Sequence, residues 1–302
     1  PAGTSADRRT ALVSGTGAGG RVVFALDVTD PAAFSASKAM WEFTSSDDAD
    51  MGYVIGQPRI LKLRTSAPSA TTATYKRFAV VGSGVNNYLT DSAGNFSATG
   101  QPALFILDLA KSAGTAWTHG TNYYKVSFPV NATLAATRAP GVVNFREIVD
   151  GNRVTTQIFA GDLHGNMWKL DFRPRGTAEW TMSNLTAFRN GTTPLPLYVA
   201  KDASGTVQPI TMAPSLIAGQ SPSGIYVAFG TGKYMEADDR SSTAPQSFYE
   251  VFDNATTTAD NNPIGAGLIS GRGRVKAGTI NTTTRVVNVD PFVWGRATSD
   301  SD

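Results

Sequence analysis

Residues 158–172, IFAGDLHGNMWKLDF, contain two short apolar runs on either side of a polar turn. The first run leads into Gly161-Asp162, and the second follows Gly165-Asn166 and ends at Asp171. Glycine, asparagine and aspartate between two apolar runs are typical of a β-hairpin, because these residues adopt the backbone angles that tight turns require. The stretch therefore predicts an antiparallel pair of strands joined by a short turn.

The same pair of strands recurs along the chain. A strand that ends in a glycine turn begins near residues 11, 78, 157 and 226, with the sequences ALVSGTG, FAVVGSGVN, QIFAGDLHGN and YVAFGTGK. Each is followed by a strand that ends in aspartate: VVFALDVTD from residue 22, ALFILDLA from 103, MWKLDF from 167 and FYEVFD from 248. We expect Asp27, Asp108 and Asp171 to accept backbone N–H groups at the turns.

Two further strand types complete the repeat. Apolar runs precede three of the glycine strands, from residues 57, 142 and 213, and stretches around Trp41, Trp117 and Trp180 follow three of the Asp-ended strands. Four antiparallel strands repeated along a chain are typical of β-propeller blades. We expect the tryptophans to pack between blades, because large aromatic side chains contribute most to such cores.

The sequence thus predicts an all-β fold, a modified β-propeller of four-stranded antiparallel blades with long insertions, which we expect to be part of a larger propeller. About four blades are predicted within residues 1–253. Residues 254–302 are predicted to be a strand-forming tail that closes or extends the propeller, with 285–289 as the candidate closing strand.

Composition narrows the class of protein. The chain of 302 residues has a formal net charge of +2, no cysteine, and only 17% charged residues, below the roughly 25% usual in soluble domains. The basic residues are scattered, and we interpret the one compact group, in GRGRVK from residue 271, as a solvated loop. Nucleic-acid binding needs clustered basic residues, so no nucleic acid partner is expected. No apolar run approaches the 18 or more residues of a membrane span, so none is predicted.

Motifs that resemble catalytic sites fail when their context is considered. GTGAGG at 15–20 resembles a dinucleotide-binding loop, but a strand follows it instead of the required helix, and VAFGTGKY from 227 lacks the spacing of a phosphate loop. The two histidines, His119 and His164, are too few for a multi-histidine metal site. We expect His164 to be an exposed turn residue. We therefore predict that the chain is not an enzyme, and we assign it no catalytic residues.

Several stretches, in order along the chain, resemble one protein family. GTGAGGRVVFALDVTDP (15–31), FAVVGSGVNN from 78, AGDLHGNMWKLDF (160–172) and VAFGTGKYMEADD from 227 are similar to the C-terminal propeller region of the PilC/PilY family, over about residues 11–253. The resemblance implies a type IV pilus tip adhesin and biogenesis factor that promotes pilus extension, surface attachment and twitching motility. It implies secretion through the periplasm to the bacterial cell surface, at the pilus tip or outer membrane. It also implies that further blades, an adhesive domain and a signal peptide precede Pro1.

The resemblance also implies partners. Minor pilins or the pilus tip would bind one surface of the protein, and a host or abiotic surface receptor another. We expect these contacts to involve insertion loops, chiefly around Asn86-Asn87 and Asp238-Asp239, because binding residues concentrate in loops held by a rigid scaffold. Two alternatives are a quinoprotein-like propeller oxidoreductase and a purely structural scaffold for an adhesive domain.

Members of the family commonly carry a calcium loop just before the AGDL strand. The four matching positions here are Ile148, Asp150, Asn152 and Thr156. Calcium takes six to eight oxygen ligands, and the resemblance gives a degenerate calcium loop with Asp150 and Asn152 as its metal ligands. The alternative is a plain hairpin turn at 149–153, since Asp-Gly and Gly-Asn are common in turns.

A second acidic cluster lies in SSDDADMG, from residue 45. Asp47, Asp48 and Asp50 are close together in the sequence and could converge on one cation. Acidic loops are more often solvated, and we favour that interpretation.

Overall fold

The computed structural model describes residues 9–135, 139–220, 223–253, 269 and 272–289, and its sheets are antiparallel. Blade 1 contains strands β1 (Ala11–Gly15), β2 (Val22–Asp27) and β3 (Ala39–Thr44), in that order. Blade 2 contains β4 (Arg59–Arg64), β5 (Tyr75–Gly82), β6 (Ala103–Asp108) and β7 (Tyr123–Ser127). Consecutive strands pair in both sheets, so each blade is a meander.

The second half of the chain repeats this arrangement. Blade 3 contains β8 (Val142–Val149), β9 (Thr155–Asp162) and β10 (Asn166–Asp171); a separate hairpin of β11 (Phe188–Asn190) and β12 (Thr193–Leu195) precedes its last strand, β13 (Tyr198–Val199). Blade 4 contains β14 (Ser215–Gln220), β15 (Ser223–Gly230) and β16 (Phe248–Asp253). The described residues contain two α-helices of one turn each, α1 (Ala132–Ala135) and α2 (Met182–Leu185).

The predicted fold of antiparallel propeller blades is confirmed, with one correction to the strand assignment. In blade 1 the tryptophan stretch is the last strand, as predicted, because Trp41 lies in β3. Trp117 and Trp180 lie in connections instead, and β7 and β13 are the last strands of blades 2 and 3. Trp117 and Trp180 therefore contribute packing and not strand pairing.

The described residues of the tail form one short hairpin. Strands β17 (Gly278–Ile280) and β18 (Val287–Val289) pair with each other, Gly278 opposite Val289. The predicted closing role of 285–289 stays a prediction, and the rest of the tail, at 254–268, 270–271 and 290–302, lies outside the described residues.

The chain divides into two compact units. The first contains blades 1 and 2, the β8–β9 turn and residues 172–184; the second contains most of blade 3, together with blade 4. In the first unit, all six side chains of β6 are buried, which explains its uninterrupted apolar sequence. Successive side chains of β4 point to opposite faces of the sheet, which buries Leu61 and Leu63 and leaves Ile60 37% exposed, as expected for a sheet with one covered face.

Aromatic side chains join blades 1 and 2. Trp41 and Trp117 meet edge to face with their ring centroids 5.3 Å apart, and Phe43 lies 5.3 Å from Phe105 and 5.1 Å from Tyr123. Such pairs contribute about 0.5–1.5 kcal/mol beyond the burial of their area. The prediction that tryptophans pack between blades is confirmed here.

The turns follow the predicted chemistry at two of the recurring aspartates. Asp27 accepts the backbone N–H of Thr29 at 3.0 Å, and Asp108 accepts that of Ala110 at 3.0 Å. The prediction for His164 is wrong. The residue is only 2% exposed. Residues 200–208 pack against the same turn: a Cβ on Gly165 would lie 2.8–2.9 Å from the carbonyl oxygens of Gln208 and Ala200.

Candidate interaction surface

The connection between β5 and β6 contains a long insertion, residues 86–101, here called the 86–101 loop. Its sequence, NNYLTDSAGNFSATGQ, includes a single charged residue, Asp91. Tyr88, Leu89 and Phe96 are 39%, 47% and 51% exposed. The loop therefore presents apolar side chains to solvent among neutral polar ones, as interaction surfaces commonly do.

Arg21 holds the backbone of this loop. The side chain is only 4% exposed, and its guanidinium donates to the carbonyl oxygens of Asn86 at 2.7 Å, Asn95 at 3.2 Å and Asn87 at 3.4 Å, and to that of Leu89. A guanidinium presents five N–H donors in a fixed planar arrangement, which suits several acceptors at once. One side chain thus joins the start of the exposed insertion to its middle.

Asp91 points back into the loop. Its Oδ1 accepts the backbone N–H groups of Ala93 at 2.9 Å and Asn95 at 2.8 Å, and its Oδ2 accepts the hydroxyl of Ser45 at 2.5 Å. The hydrogen bond from Ser45, followed by that from Asn95, holds the pKa of Asp91 below its usual value. The carboxylate is therefore engaged in ordering the loop.

The acidic cluster of Asp47, Asp48 and Asp50 lies beside Lys125 of β7. The Lys125 Nζ is 2.9 Å from Asp48 Oδ2 and 2.8 Å from Asp50 Oδ2. Burial lowers the pKa of Lys125, but its hydrogen bonds to Asp50 and Asp48 outweigh that effect and raise the pKa. The side chains of Asp48 and Asp50 are only 10% and 13% exposed, so the interpretation as a solvated loop is wrong for these two residues.

Asp50 connects the acidic cluster to the 86–101 loop. Its Oδ1 accepts the hydroxyl of Ser97, and its backbone carbonyl accepts the Asn87 Nδ2 at 3.0 Å. Asn87 and Ser97 are 3% and 4% exposed. Asn87, which the sequence placed at a binding loop, therefore anchors that loop from inside, and the exposed positions are its neighbours.

Ion pairs also order the loop that follows β15, residues 231–247. Lys233 contacts the Glu236 carboxylate and lies 2.8 Å from Asp239 Oδ1. Asp239 Oδ2 accepts the backbone N–H groups of Met235 at 2.8 Å and Glu236 at 2.9 Å. Burial raises the pKa of Asp239, but the hydrogen bonds from Lys233 and from the N–H groups of Met235 and Glu236 together outweigh it, and the pKa is lowered. Asp238 and Asp239 were predicted to lie at a binding loop. Asp239 instead orders the loop from within, whereas Asp238 is exposed, as is Tyr234 of the same loop, at 74%.

The four positions that match the family's calcium loop form a hairpin turn. Asp150 Oδ1 accepts the backbone N–H groups of Asn152 at 2.9 Å and Val154 at 2.8 Å, and the Thr156 hydroxyl donates to the Ile148 carbonyl at 3.1 Å. The described side chains offer one carboxylate, already bound to two N–H groups, and calcium prefers several oxygens with more charge. The donor set therefore fits calcium poorly, and the assignment of Asp150 and Asn152 stays a prediction.

Two buried polar networks lie in the second unit. Lys169 and Asp253 form an ion pair whose side chains are 5% and 0% exposed, and the Lys169 Nζ lies 5.7 Å and 5.4 Å from the ring centroids of Phe159 and Phe188. Asp162 accepts the Trp168 indole N–H at 2.8 Å, and burial raises its pKa against that bond. Both networks lie in the interior of the second unit, closed to solvent.

Within the ranges that the structure describes, no three or more His, Asp or Glu side chains are grouped so that they could hold a metal ion. A search of the same ranges finds no helix with the length and apolarity needed to cross a membrane.

Known proteins share this arrangement of blades. The family described as the PilY1 beta-propeller domain matches residues 3–272. The chain belongs to the PilY1 β-propeller family. The PilC/PilY resemblance is thereby confirmed. A crystal structure of the Pseudomonas aeruginosa PilY1 C-terminal domain is similar, with a TM-score of 0.66 and 26% identity, over 97% of this chain and 57% of that one.

Curated PilY1 relatives are similar along most of the chain. The type IV pilus biogenesis factor PilY1 homolog of Xylella fastidiosa is 31% identical over 95% of this chain, and the type IV pilus biogenesis factor PilY1 of Pseudomonas aeruginosa, strain UCBPP-PA14, is 29% identical over 96%. The chain spans only 17% and 25% of the lengths of these two PilY1 proteins.

Sequence reasoning missed Arg21 and Lys125, the basic side chains that order the 86–101 loop and the acidic cluster. Arg21 contacts carbonyls 65 to 74 positions away, and Lys125 contacts carboxylates 75 and 77 positions away. Neither residue lies in a local motif. One signal was available in the sequence: three aspartates lie between residues 47 and 50, and such a concentration of negative charge indicates that a basic side chain lies nearby.

Proposed function

We propose that this chain is a non-enzymatic binding segment of a type IV pilus biogenesis factor. The full-length protein would be secreted through the periplasm and act at the bacterial cell surface, at the pilus tip or outer membrane. There it would bind minor pilins or the pilus tip with one surface and a host or abiotic surface receptor with another. In this way it would promote pilus extension, attachment and twitching motility.

One observation carries the proposal: the PilY1 family matches residues 3–272, and relatives similar over nearly all of the chain are named type IV pilus biogenesis factors. The blades suit the role because packed antiparallel sheets hold long loops in fixed positions, and binding residues concentrate in such loops. The ordered 86–101 and 231–247 loops are of this kind.

Deletion of this segment from the full-length protein in its source bacterium tests the proposal. We expect fewer surface pili and smaller twitching zones, both restored by the intact gene. The remaining protein must accumulate to the normal level by immunoblot, which controls for degradation. Normal piliation and twitching in the deletion strain would contradict the proposal.

The two alternatives make different predictions. An oxidoreductase would show a quinone absorbance band and reduce a dye in the presence of alcohols, and we expect neither from the purified chain. A purely structural scaffold would keep all binding when the 86–101 loop is shortened to a tight turn, whereas we expect binding to purified pili to fall.

A further inference from the structure

The fully exposed residues of the 86–101 loop are uncharged. Its single carboxylate, Asp91, is partly exposed and accepts the hydroxyl of Ser45, and the nearby Asp50 is paired with Lys125. Arg21 is buried beneath the loop. The residues that remain exposed are aromatic, aliphatic, small or hydroxyl-bearing: Tyr88, Leu89, Thr90, Ser92, Ala93, Gly94, Phe96, Ala98 and Thr99.

The loop is ordered before any partner binds. The guanidinium of Arg21 holds four of its carbonyl oxygens, and the hydroxyl of Ser97 and the amide of Asn87 bind Asp50. Immobilising a flexible loop on binding is costly, and a preorganised loop avoids that cost. Exposed Tyr, Ser and Gly on an ordered loop are also typical of antibody combining sites.

We propose that the 86–101 loop is a docking site for an uncharged, apolar patch on a pilus subunit. The inference rests on the proposed function and names the surface and the chemistry of its partner. A charged partner group would lose water here without gaining a counter-ion, which is unfavourable. A neutral apolar patch would instead cover Tyr88, Leu89 and Phe96.

The apolar surface of the loop is too small to hold a second copy of this chain by itself. A fully buried aromatic side chain covers about 150–250 Å², so three side chains exposed by 39% to 51% offer on the order of 300 Å². A stable interface needs about 800 Å² from each partner. The loop is therefore one contact within a larger interface, and it does not by itself hold a dimer.

Cosedimentation of the purified chain with purified type IV pili tests this assignment. The variant Leu89→Ser/Phe96→Ser removes two of the exposed apolar side chains, and Phe34→Ser is the matched control, since Phe34 and Phe96 are 52% and 51% exposed. We expect the double variant to bind at least tenfold more weakly and the control to bind like wild type. Raising the salt from about 50 to 500 mM should change wild-type binding less than twofold, because exposed charges are screened over this range.

The outcomes separate the two proposals. Wild-type binding that the double variant retains would overturn the docking site and leave the proposed function standing, and a tenfold loss of binding in high salt would show that charges carry the contact. No wild-type binding would contradict both. Sedimentation velocity adds a further arm: concentration-dependent dimers that the double variant abolishes would assign the surface to a second copy and overturn the proposal. Equal melting temperatures of all three proteins show that the substitutions leave the fold intact.

Discussion

Asp150 illustrates how one carboxylate can serve a turn without a metal ion. Its Oδ1 binds two backbone N–H groups, and Asp202 Oδ1 does the same for Ser204 and Thr206 in a turn outside the family's calcium loop. We expect Asp150→Ala to lower the free energy of unfolding by about 1 kcal/mol, equally in calcium and in chelator. Asp202→Ala is the control, and thermal unfolding is the measurement. A loss that appears only in calcium would show that Asp150 is a ligand.

Asp91 gives a prediction for pH. Its pKa is lower in the folded protein than its usual value, chiefly through Ser45, so the ionised form is favoured by folding. Its stabilising contribution is therefore complete above the unfolded pKa of about 3.9 and is lost as the pH falls through the lower folded pKa. We expect the difference in melting temperature between wild type and Asp91→Asn to be constant from about pH 7 to 5 and to shrink below about pH 4. A difference that does not change with pH would refute this account.

At the residue scale, local chemistry could be predicted from the sequence and distant contacts could not. Asp27 and Asp108 bind N–H groups two positions away, so the turn sequence contains all that is needed. His164 is buried in a turn against which residues 200–208 pack. The sequence of the turn itself gives no sign of that contact. The pairing of Lys125 with Asp48 depends likewise on how two blades meet.

At the scale of elements, the pair of Lys169 on β10 and Asp253 on β16 is the clearest case of buried charge. Removing one partner leaves the other charge buried without this counter-ion, which costs about 3–5 kcal/mol. We expect Lys169→Met and Asp253→Asn each to destabilise by this amount, and the double variant by less than the sum of the two. Lys76 and Asp108 form a matched pair on β5 and β6, with Lys76 59% exposed, and Lys76→Met should cost less than about 1 kcal/mol. Chemical denaturation measures all four variants, and equal costs for the two lysines would contradict the argument.

The two turns of the β8–β9–β10 meander should differ in how well they accept a side chain in place of glycine. Gly165 has a φ of +76° and close backbone neighbours, whereas a Cβ at Gly151 would meet nothing within 4 Å. We expect Gly165→Ala to lower stability by more than about 1 kcal/mol, and Gly151→Ala to be neutral or to stabilise by about 0.4–1 kcal/mol. Thermal unfolding of the two variants decides the matter. Similar losses of stability in the two variants would mean that residues 200–208 move aside at little cost to make room for the Cβ at position 165.

For the whole molecule, the division into two compact units predicts two unfolding events. Phe43 lies in the core of the first unit and Phe229 in that of the second, and both are at most 1% exposed. We expect calorimetry to resolve two transitions, with Phe43→Leu lowering one and Phe229→Leu the other, each by about 2–4 °C per kcal/mol. A single transition that both variants lower equally would show that the units unfold together.

The repeat made the architecture predictable, because each glycine turn and each terminal aspartate marks the same point in a four-stranded sheet. The last strands of blades 2 and 3 were less accessible to such reasoning. The strands at 123–127 and 198–199 are short, and neither a glycine turn nor a terminal aspartate marks them. The more conspicuous Trp117 and Trp180 lie in connections. The candidate interaction surface was predicted only as a region, around Asn86-Asn87. The residues that anchor its loop, Arg21 and Asp50, could be identified only from the folded structure.

The anchor beneath the 86–101 loop has a consequence for how such proteins diverge. Arg21 binds carbonyl oxygens, which every amino acid supplies equally. Substitutions at positions 88, 89 or 96 should therefore leave the hydrogen bonds of Arg21 to the loop intact. If the loop docks as proposed, the side chains that choose the partner and the contacts that hold the loop can change independently of each other.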